Sequence, residues 1–231
     1  LKSYDGIIIN ENDDGISDAF NKGILASSGD YLMVLNSGDI LLHREYLIKA
    51  EEILEQNKDI SFVHSNILFE EKYAGNLVMH PKMKNIGRGM PYFHQSMVIR
   101  RSVFDSVGLY NKDYKISMDY DLIVRMEKKG LKGFYLDGGP VVKMDGNGVS
   151  NTREFKTMTE AVRSLWENKH LNIYIAYNLL VRIFLFSLRK MAVVLGVKVV
   201  YVKLMKWKYS RVFYKILISL HFTDLVGYGI Y

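Results

Sequence analysis

Tyr31-Leu32-Met33-Val34-Leu35 is an unbroken run of five apolar residues, closed at once by the polar turn Asn36-Ser37-Gly38-Asp39. A run of that length without polar alternation is the pattern of a strand covered on both faces, which requires helices above and below its sheet. The neighbouring segments supply them. Ile16, Phe20 and Ile24 recur at helical spacing in a segment that Ser17 can cap, and Leu47, Ala50, Ile53 and Leu54 do the same within residues 44–56. Further strands are read at residues 6–9, 60–63, 96–99, 133–136 and 141–144, with a two-stranded excursion over 67–79. Short helices are expected at 102–107 and 119–129, ended by Gly108 and Gly130, and the chain reads as mainly helical from Thr157 onward. Residues 81–91, with Gly87 and Gly89, read as a mobile loop whose order depends on ligand. Strands alternating with helices place the chain in the α/β class. A chain that opens on an apolar strand at residues 6–9 also reads as a piece of a longer protein.

Composition removes several kinds of chemistry. A hydrophobic share of 48% excludes global disorder, and the absence of cysteine excludes a disulfide framework, thiolate metal sites and cysteine nucleophiles. No phosphate-cradling glycine loop, zinc-protease helix or dinucleotide fingerprint is present. The acids carry the information that remains. Asp39 stands just beyond the carboxyl end of a strand, where ligands of open α/β sheets bind. A carboxylate there can hold Mg²⁺ or Mn²⁺ against a diphosphate, or can simply build the turn. Asp119 and Asp121, two apart at a helix start, point in different directions and do not form a pair. Each can cap that helix, and either can be a general base that takes a hydroxyl proton. His94, after the glycine-containing loop, reads as a structural histidine or as one that reaches a diphosphate.

In order and spacing these segments resemble a family 2 glycosyltransferase of the GT-A fold, of the branch that builds bacterial capsule, O-chain or exopolysaccharide. The resemblance is carried by residues 14–24, by Gly29-Asp30-Tyr31-Leu32 leading to Leu35-Asn36-Ser37-Gly38-Asp39, and by His94-Gln95. Phe104 with Gly108-Leu109-Tyr110, Asp119-Tyr120-Asp121-Leu122 with Arg125, and Gly148-Val149-Ser150 complete it, so that it spans roughly residues 5–155. It implies a mixed, mostly parallel sheet flanked by helices, and a division into a partial catalytic core at 1–155 and a helical extension at 156–231. It implies direct, inverting displacement on a nucleotide-diphosphate sugar by a hydroxyl of a growing or lipid-linked saccharide. Carried over residue by residue, Asp119 is the catalytic base and Asp39 the metal ligand. Asp18, Asn21 and Lys22 lie near the nucleotide and diphosphate, Asn36 stands in the metal motif, His94 and Gln95 line the pocket, and Asp121 with Arg125 supports the helix. The sequence departs from the family where Asn36 and Gly38 replace two usual acids, which weakens the metal motif. The family's first strand and base-binding acid lie upstream of anything present. A non-catalytic scaffold of the same fold is the alternative these departures keep open.

The charge is unevenly placed. From Asn168 to Tyr231 ten Lys or Arg face one acid, Asp224, whereas the preceding residues hold twenty-one basic and twenty-four acidic side chains. Met205, Tyr209, Val212, Phe213, Ile216, Leu217 and Leu220 fall at helical spacing, with Lys208, Arg211 and Lys215 on another face. No uncharged apolar stretch reaches the roughly 20 residues a span needs. The extension therefore reads as a peripheral anchor on an anionic membrane surface at the cytoplasmic face, with packing on the core or on a second copy as the other reading. So many aliphatic residues beside the lysines argue against nucleic acid as the partner.

Overall fold

The computed structural model describes residues 6–71, 75–81, 86–145, 153–197, 199 and 202–203. Gly148-Val149-Ser150 and the amphipathic pattern beyond Lys203 lie outside the described residues.

Helix α1 (Ile16–Ala26) leads into strand β1 (Tyr31–Leu32), then β2 (Ile40–Leu41), α2 (Glu45–Gln56), β3 (Ile60–His64), β4 (Ile67–Glu71) and β5 (Gly75–Met79). After 3₁₀ turns at Ile86–Arg88 and His94–Ser96 come β6 (Val98–Arg100), α3 (Arg101–Val107), α4 (Met118–Lys128), β7 (Lys132–Tyr135) and β8 (Val142–Asp145). Helices α5 (Glu154–Glu167) and α6 (Ile173–Val194) follow. The strands form two four-stranded sheets, ordered β1-β6-β3-β7 and β2-β8-β4-β5.

The α/β class holds, but the sheets are not mostly parallel. Only β3 with β7 and β4 with β8 run parallel, and the other four pairings are antiparallel. The reason is β6, which enters between β1 and β3 against both, together with the β4–β5 hairpin that edges the second sheet. The apolar run at 31–35 also falls short of a doubly buried strand. β6 meets it only at Tyr31 and Leu32, and Leu35 is exposed. Ile7, Ile8 and Ile9 belong to no described strand and are exposed. Ser17 does not cap α1; it sits in the first turn and donates its hydroxyl to Tyr114 O at 3.0 Å, and Gly15 holds the cap position.

Period-two alternation in the central strands divides the core. Phe62 and Ile99 enter one apolar cluster with residues of α3, α4, α5 and α6, while Val63 and Val98 enter the other with Tyr46, Ala50 and Leu54 of α2. Ala161, Leu165, Ile175 and Leu179 thus share a core with residues of the amino-terminal half. Adjacent arginines at the end of β6 tie two helix ends to the sheet. Arg100 donates to Ile60 O, Leu54 O and Asn57 O behind α2, and Arg101 donates to Ile24 O, Ser27 O and Gly29 O behind α1. Cations at these carbonyl-rich ends satisfy acceptors that the helices cannot. Gly133, the register partner of Phe62, is required by close approach, since a Cβ there would lie 2.4 Å from the Phe62 ring.

Candidate active site

A cavity of about 730 Å³ opens between the turn after β1, one face of α1, the His94 turn and the start of α4, and α5 and α6 close its far wall. Ile16, Ala19, Phe20, Phe93, Met118 and Met144 make much of the lining apolar, with Asp13, Asn36, Asp39, His94, Asp119 and Arg182 as polar or charged groups.

Four residues expected from sequence meet here in one hydrogen-bonded chain. Asp39 Oδ2 accepts from the Asn36 backbone N–H at 2.9 Å and from Asn36 Nδ2 at 3.1 Å. Asn36 Nδ2 also lies 3.3 Å from His94 Nε2, and His94 Nδ1 lies 2.9 Å from Asp119 Oδ2. The donors fix one another. The Asp39 carboxylate accepts only, so the Asn36 amide must present its NH₂ toward it. The second amide hydrogen then points at Nε2, which makes Nε2 the acceptor and leaves the imidazole proton on Nδ1, facing Asp119. Asp119 is held from its other oxygen by the Tyr120 N–H at 2.7 Å. One oxygen of this carboxylate thus meets the α4 backbone and the other meets His94. Gln95 lines the cavity while its amide lies 3.1 Å from Met144 Sδ.

The start of α4 is set from elsewhere in the chain. Ser117 makes no side-chain cap; instead the buried Glu160 of α5 accepts from both Ile116 N and Ser117 N at 2.9 Å through Oε2. Ser117 Oγ in turn donates to Thr157 O at 3.0 Å. Neither Glu160 nor Arg182 is marked by any local sequence pattern, because their roles depend on contacts more than forty residues away in the chain.

The remaining expected residues do not line the cavity. Asp18 pairs with Lys112 at 3.2 Å and Lys22 at 3.3 Å, and its carboxyl is held below the usual range chiefly by the Asp14 N–H and then by Lys112. Lys22 also pairs with Glu11 at 2.9 Å, which raises its pKa. Asn21 brackets the Tyr110 backbone, donating to its carbonyl at 2.8 Å and accepting from its N–H at 2.9 Å. α1 instead faces the cavity with Ile16, Ala19 and Phe20. Asp121 is buried and pairs with Arg125 at 2.9 Å, while also accepting from Ser164 Oγ at 2.8 Å and Asn168 Nδ2 at 3.2 Å. Arg125 passes the connection to the carbonyls of Val107, Gly108 and Leu109. The pair joins α3, α4 and α5.

Among the described residues no group of three His, Asp or Glu stands close enough to hold a metal. Asp39 Oδ1 has no hydrogen-bond partner among the described residues, so this lining residue offers at most one carboxylate oxygen beyond the bonds to Asn36. That suits a hard cation whose remaining ligands are phosphate and water, and it does not suit a cation held by protein alone.

Two mycobacterial proteins described as PGL/p-HBAD biosynthesis glycosyltransferases are similar to this chain. Those from Mycobacterium bovis (strain BCG / Pasteur 1173P2) and Mycobacterium tuberculosis (strain ATCC 25177 / H37Ra) are each 24% identical over 124 residues, 52% of this chain and 46% of the relative. The match thus spans about half the length of these curated relatives. No family model matches the chain. The likeness supports a glycosyltransferase in general terms, and the α/β architecture is consistent with one.

Proposed function

We propose that the cavity is the acceptor and reaction site of an inverting, GT-A-type glycosyltransferase of family 2. It moves a sugar from a nucleoside-diphosphate sugar to a hydroxyl of a growing or lipid-linked saccharide in the assembly of surface polysaccharide. The observation that carries this reading is the Asp119 carboxylate on the cavity wall, fixed by His94 through a chain that begins at Asp39. Asp119 takes the hydroxyl proton as that oxygen attacks the anomeric carbon. The new carbon–oxygen bond forms as the bond to the diphosphate breaks, nucleoside diphosphate leaves with the electron pair, and the configuration inverts. His94 keeps Asp119 Oδ2 aimed, and Asp121 with Arg125 holds α4. When bound, a divalent cation at Asp39 supplies positive charge to the departing diphosphate.

The test is Asp119→Asn in the full-length enzyme with a donor panel and anomer analysis by NMR. Turnover is expected to fall by roughly 10²–10⁴-fold with donor binding retained. Undiminished turnover, or a product with retained configuration, overturns the base assignment.

For the partner surface we infer an anionic membrane at the cytoplasmic face. Ile173, Tyr177, Leu180, Phe184, Met191 and Val194 are exposed on α6 at spacings of three, four and seven, beside the exposed Lys190 and within the basic part of the chain. No helix among the described residues is long and apolar enough to cross a membrane. Flotation with phosphatidylserine vesicles tests the stripe: Leu180→Glu with Phe184→Glu is expected to abolish binding. Unchanged flotation, or a shift from dimer to monomer with no vesicle binding in either protein, refutes the membrane and in the second case assigns the stripe to a second copy.

A further inference from the structure

α6 has two faces, and the inner one reaches the cavity. Ile175, Asn178 and Leu179 are buried, and one turn further on Arg182 lines the same space as Asn36, His94 and Asp119. The 3₁₀ turn Ile86–Arg88 lies flat on this face. A Cβ on Gly87 would stand 3.0 Å from Ile175 Cα and 3.2 Å from Asn178 Cβ, so a side chain there would push α6 back by a few tenths of an ångström. Gly89 has a φ of +107°, and a Cβ there would be 3.4 Å from Arg182 Cζ and Nη1. The Gly89 backbone is thus packed against the guanidinium, which restricts where that side chain can go. Tyr120, whose hydroxyl donates to Ile86 O at 2.8 Å, completes the support and feels the Arg182 charge.

Among the described lining residues Arg182 alone carries a permanent positive charge, in a cavity that three carboxylates, Asp13, Asp39 and Asp119, also line. A phosphate-bearing substrate entering such a cavity meets repulsion from the carboxylates unless a cation offsets it. The apolar remainder of the wall lowers the local dielectric and strengthens both effects. A guanidinium suits this task because its planar fork binds two phosphate oxygens at once.

We infer that Arg182 is the phosphate-binding residue of this cavity, placed by α6 and by the glycine turn at 87–89. The assignment rests on the cavity being a glycosyl-transfer site. Phosphate chemistry has two sources in such a reaction, the diphosphate of the donor and the phosphate of a lipid-linked acceptor, and Arg182 serves whichever lies beside α6.

The probe is inorganic pyrophosphate, titrated calorimetrically into the full chain, its Arg182→Lys and Arg182→Met variants, and Arg163→Met as a control on the exposed side of α5. Arg182→Met keeps an unbranched stem against Gly89, and thermal denaturation checks that each variant is folded. Affinity is expected to fall about tenfold or more in Arg182→Met, the scale of a lost charge-assisted contact, less in Arg182→Lys, and not at all in the control. Where a donor is turned over, a raised donor KM assigns the contact to the leaving diphosphate, and a raised KM confined to a lipid-phosphate acceptor assigns it to that phosphate. No pyrophosphate binding by the wild-type chain, or equal binding by folded Arg182→Met, overturns the inference. Arg182-dependent pyrophosphate binding without transfer from any donor sinks the glycosyl-transfer reading and leaves the phosphate site standing. Normal transfer by Arg182→Met does the reverse.

Discussion

Replacing Asp121 by alanine separates a strut from a substrate ligand. The residue is about 2% exposed, and its carboxylate takes hydrogen bonds from Arg125, Ser164 and Asn168. Removing it leaves the half-buried Arg125 guanidinium, which also donates to the carbonyls of Val107 and Leu109, without the carboxylate it pairs with, and strips the Ser164 and Asn168 donors of their acceptor. Breaking a buried ion pair from one side costs about 3–5 kcal/mol. In a chain of 231 residues each kcal/mol lowers the melting temperature by about 2–4 °C, so a fall of roughly 6–20 °C is expected. Asp121→Asn keeps an acceptor oxygen for Ser164 but loses the charge and sets its NH₂ group against the Arg125 Nε–H; it should lie between wild type and alanine, at a cost of about 1.5–3 kcal/mol. The assay is thermal denaturation followed by circular dichroism, paired with donor KM below the transition of each variant. A melting temperature within about 3 °C of wild type, with a raised donor KM, would show that Asp121 touches substrate and that its place in the α3–α4–α5 junction has been misjudged.

Three further outcomes follow from single positions. Gly133→Ala puts a methyl group into the Phe62 ring and should destabilise by about 1–3 kcal/mol in chemical denaturation; a stability equal to wild type would mean that Phe62 can swing aside freely. Burial among Phe62, Tyr92 and Tyr135 pushes the His64 imidazole down to about 4, so below pH 6.5 the unfolded chain takes a proton that the native state refuses. This contribution is intact above pH 6.5 and falls by on the order of 3 kcal/mol toward pH 4; His64→Phe should flatten that part of the stability profile, and an unchanged slope would count against it. In the ¹⁵N spectrum the neutral His94 imidazole should carry its proton on Nδ1 and leave Nε2 bare, and Asn36→Asp, whose carboxylate cannot donate to Nε2, should remove that preference; a neutral tautomer protonated at Nε2 in the wild-type chain contradicts the donor chain from Asp39.

What the sequence made legible is what short-range periodicity controls. α2 shows this: Tyr46, Ala50 and Leu54 form one buried stripe, although the expected Leu47 turns outward. The β4–β5 hairpin and the ends of α3 and α4 were likewise visible, because turns and caps are local. Strand direction was not, since nothing within residues 98–100 tells that they will run antiparallel to both β1 and β3. In the site, Asn36, Asp39, His94 and Asp119 were legible as a series of motifs in order, and their meeting was implied by the resemblance alone. Asp18, Asn21 and Lys22 were named by the same resemblance, yet in the structure their polar atoms are taken by Lys112, the Tyr110 backbone and Glu11.

The deepest gap between sequence and site lies at Glu160. A helix start with Ser117 followed by two aspartates reads as self-capping, but the N–H groups of Ile116 and Ser117 are both satisfied by a carboxylate from a helix that begins at Glu154. If that carboxylate were absent, two buried N–H groups would go without acceptors, at about 1–3 kcal/mol each, unless the α4 start moved to find others. Asp119 is two residues further on, and its 2.9 Å contact with His94 cannot survive a displacement of even 1 Å as a hydrogen bond of the same strength. Asp119, the base of the proposed reaction, is thus positioned from two directions at once, by a polar chain running back to Asp39 and by a carboxylate on α5. Residues beyond 155 that look, by charge and apolar content, like an appendage for another surface contribute the helix that fixes the start of α4, and with it the Asp119 carboxylate.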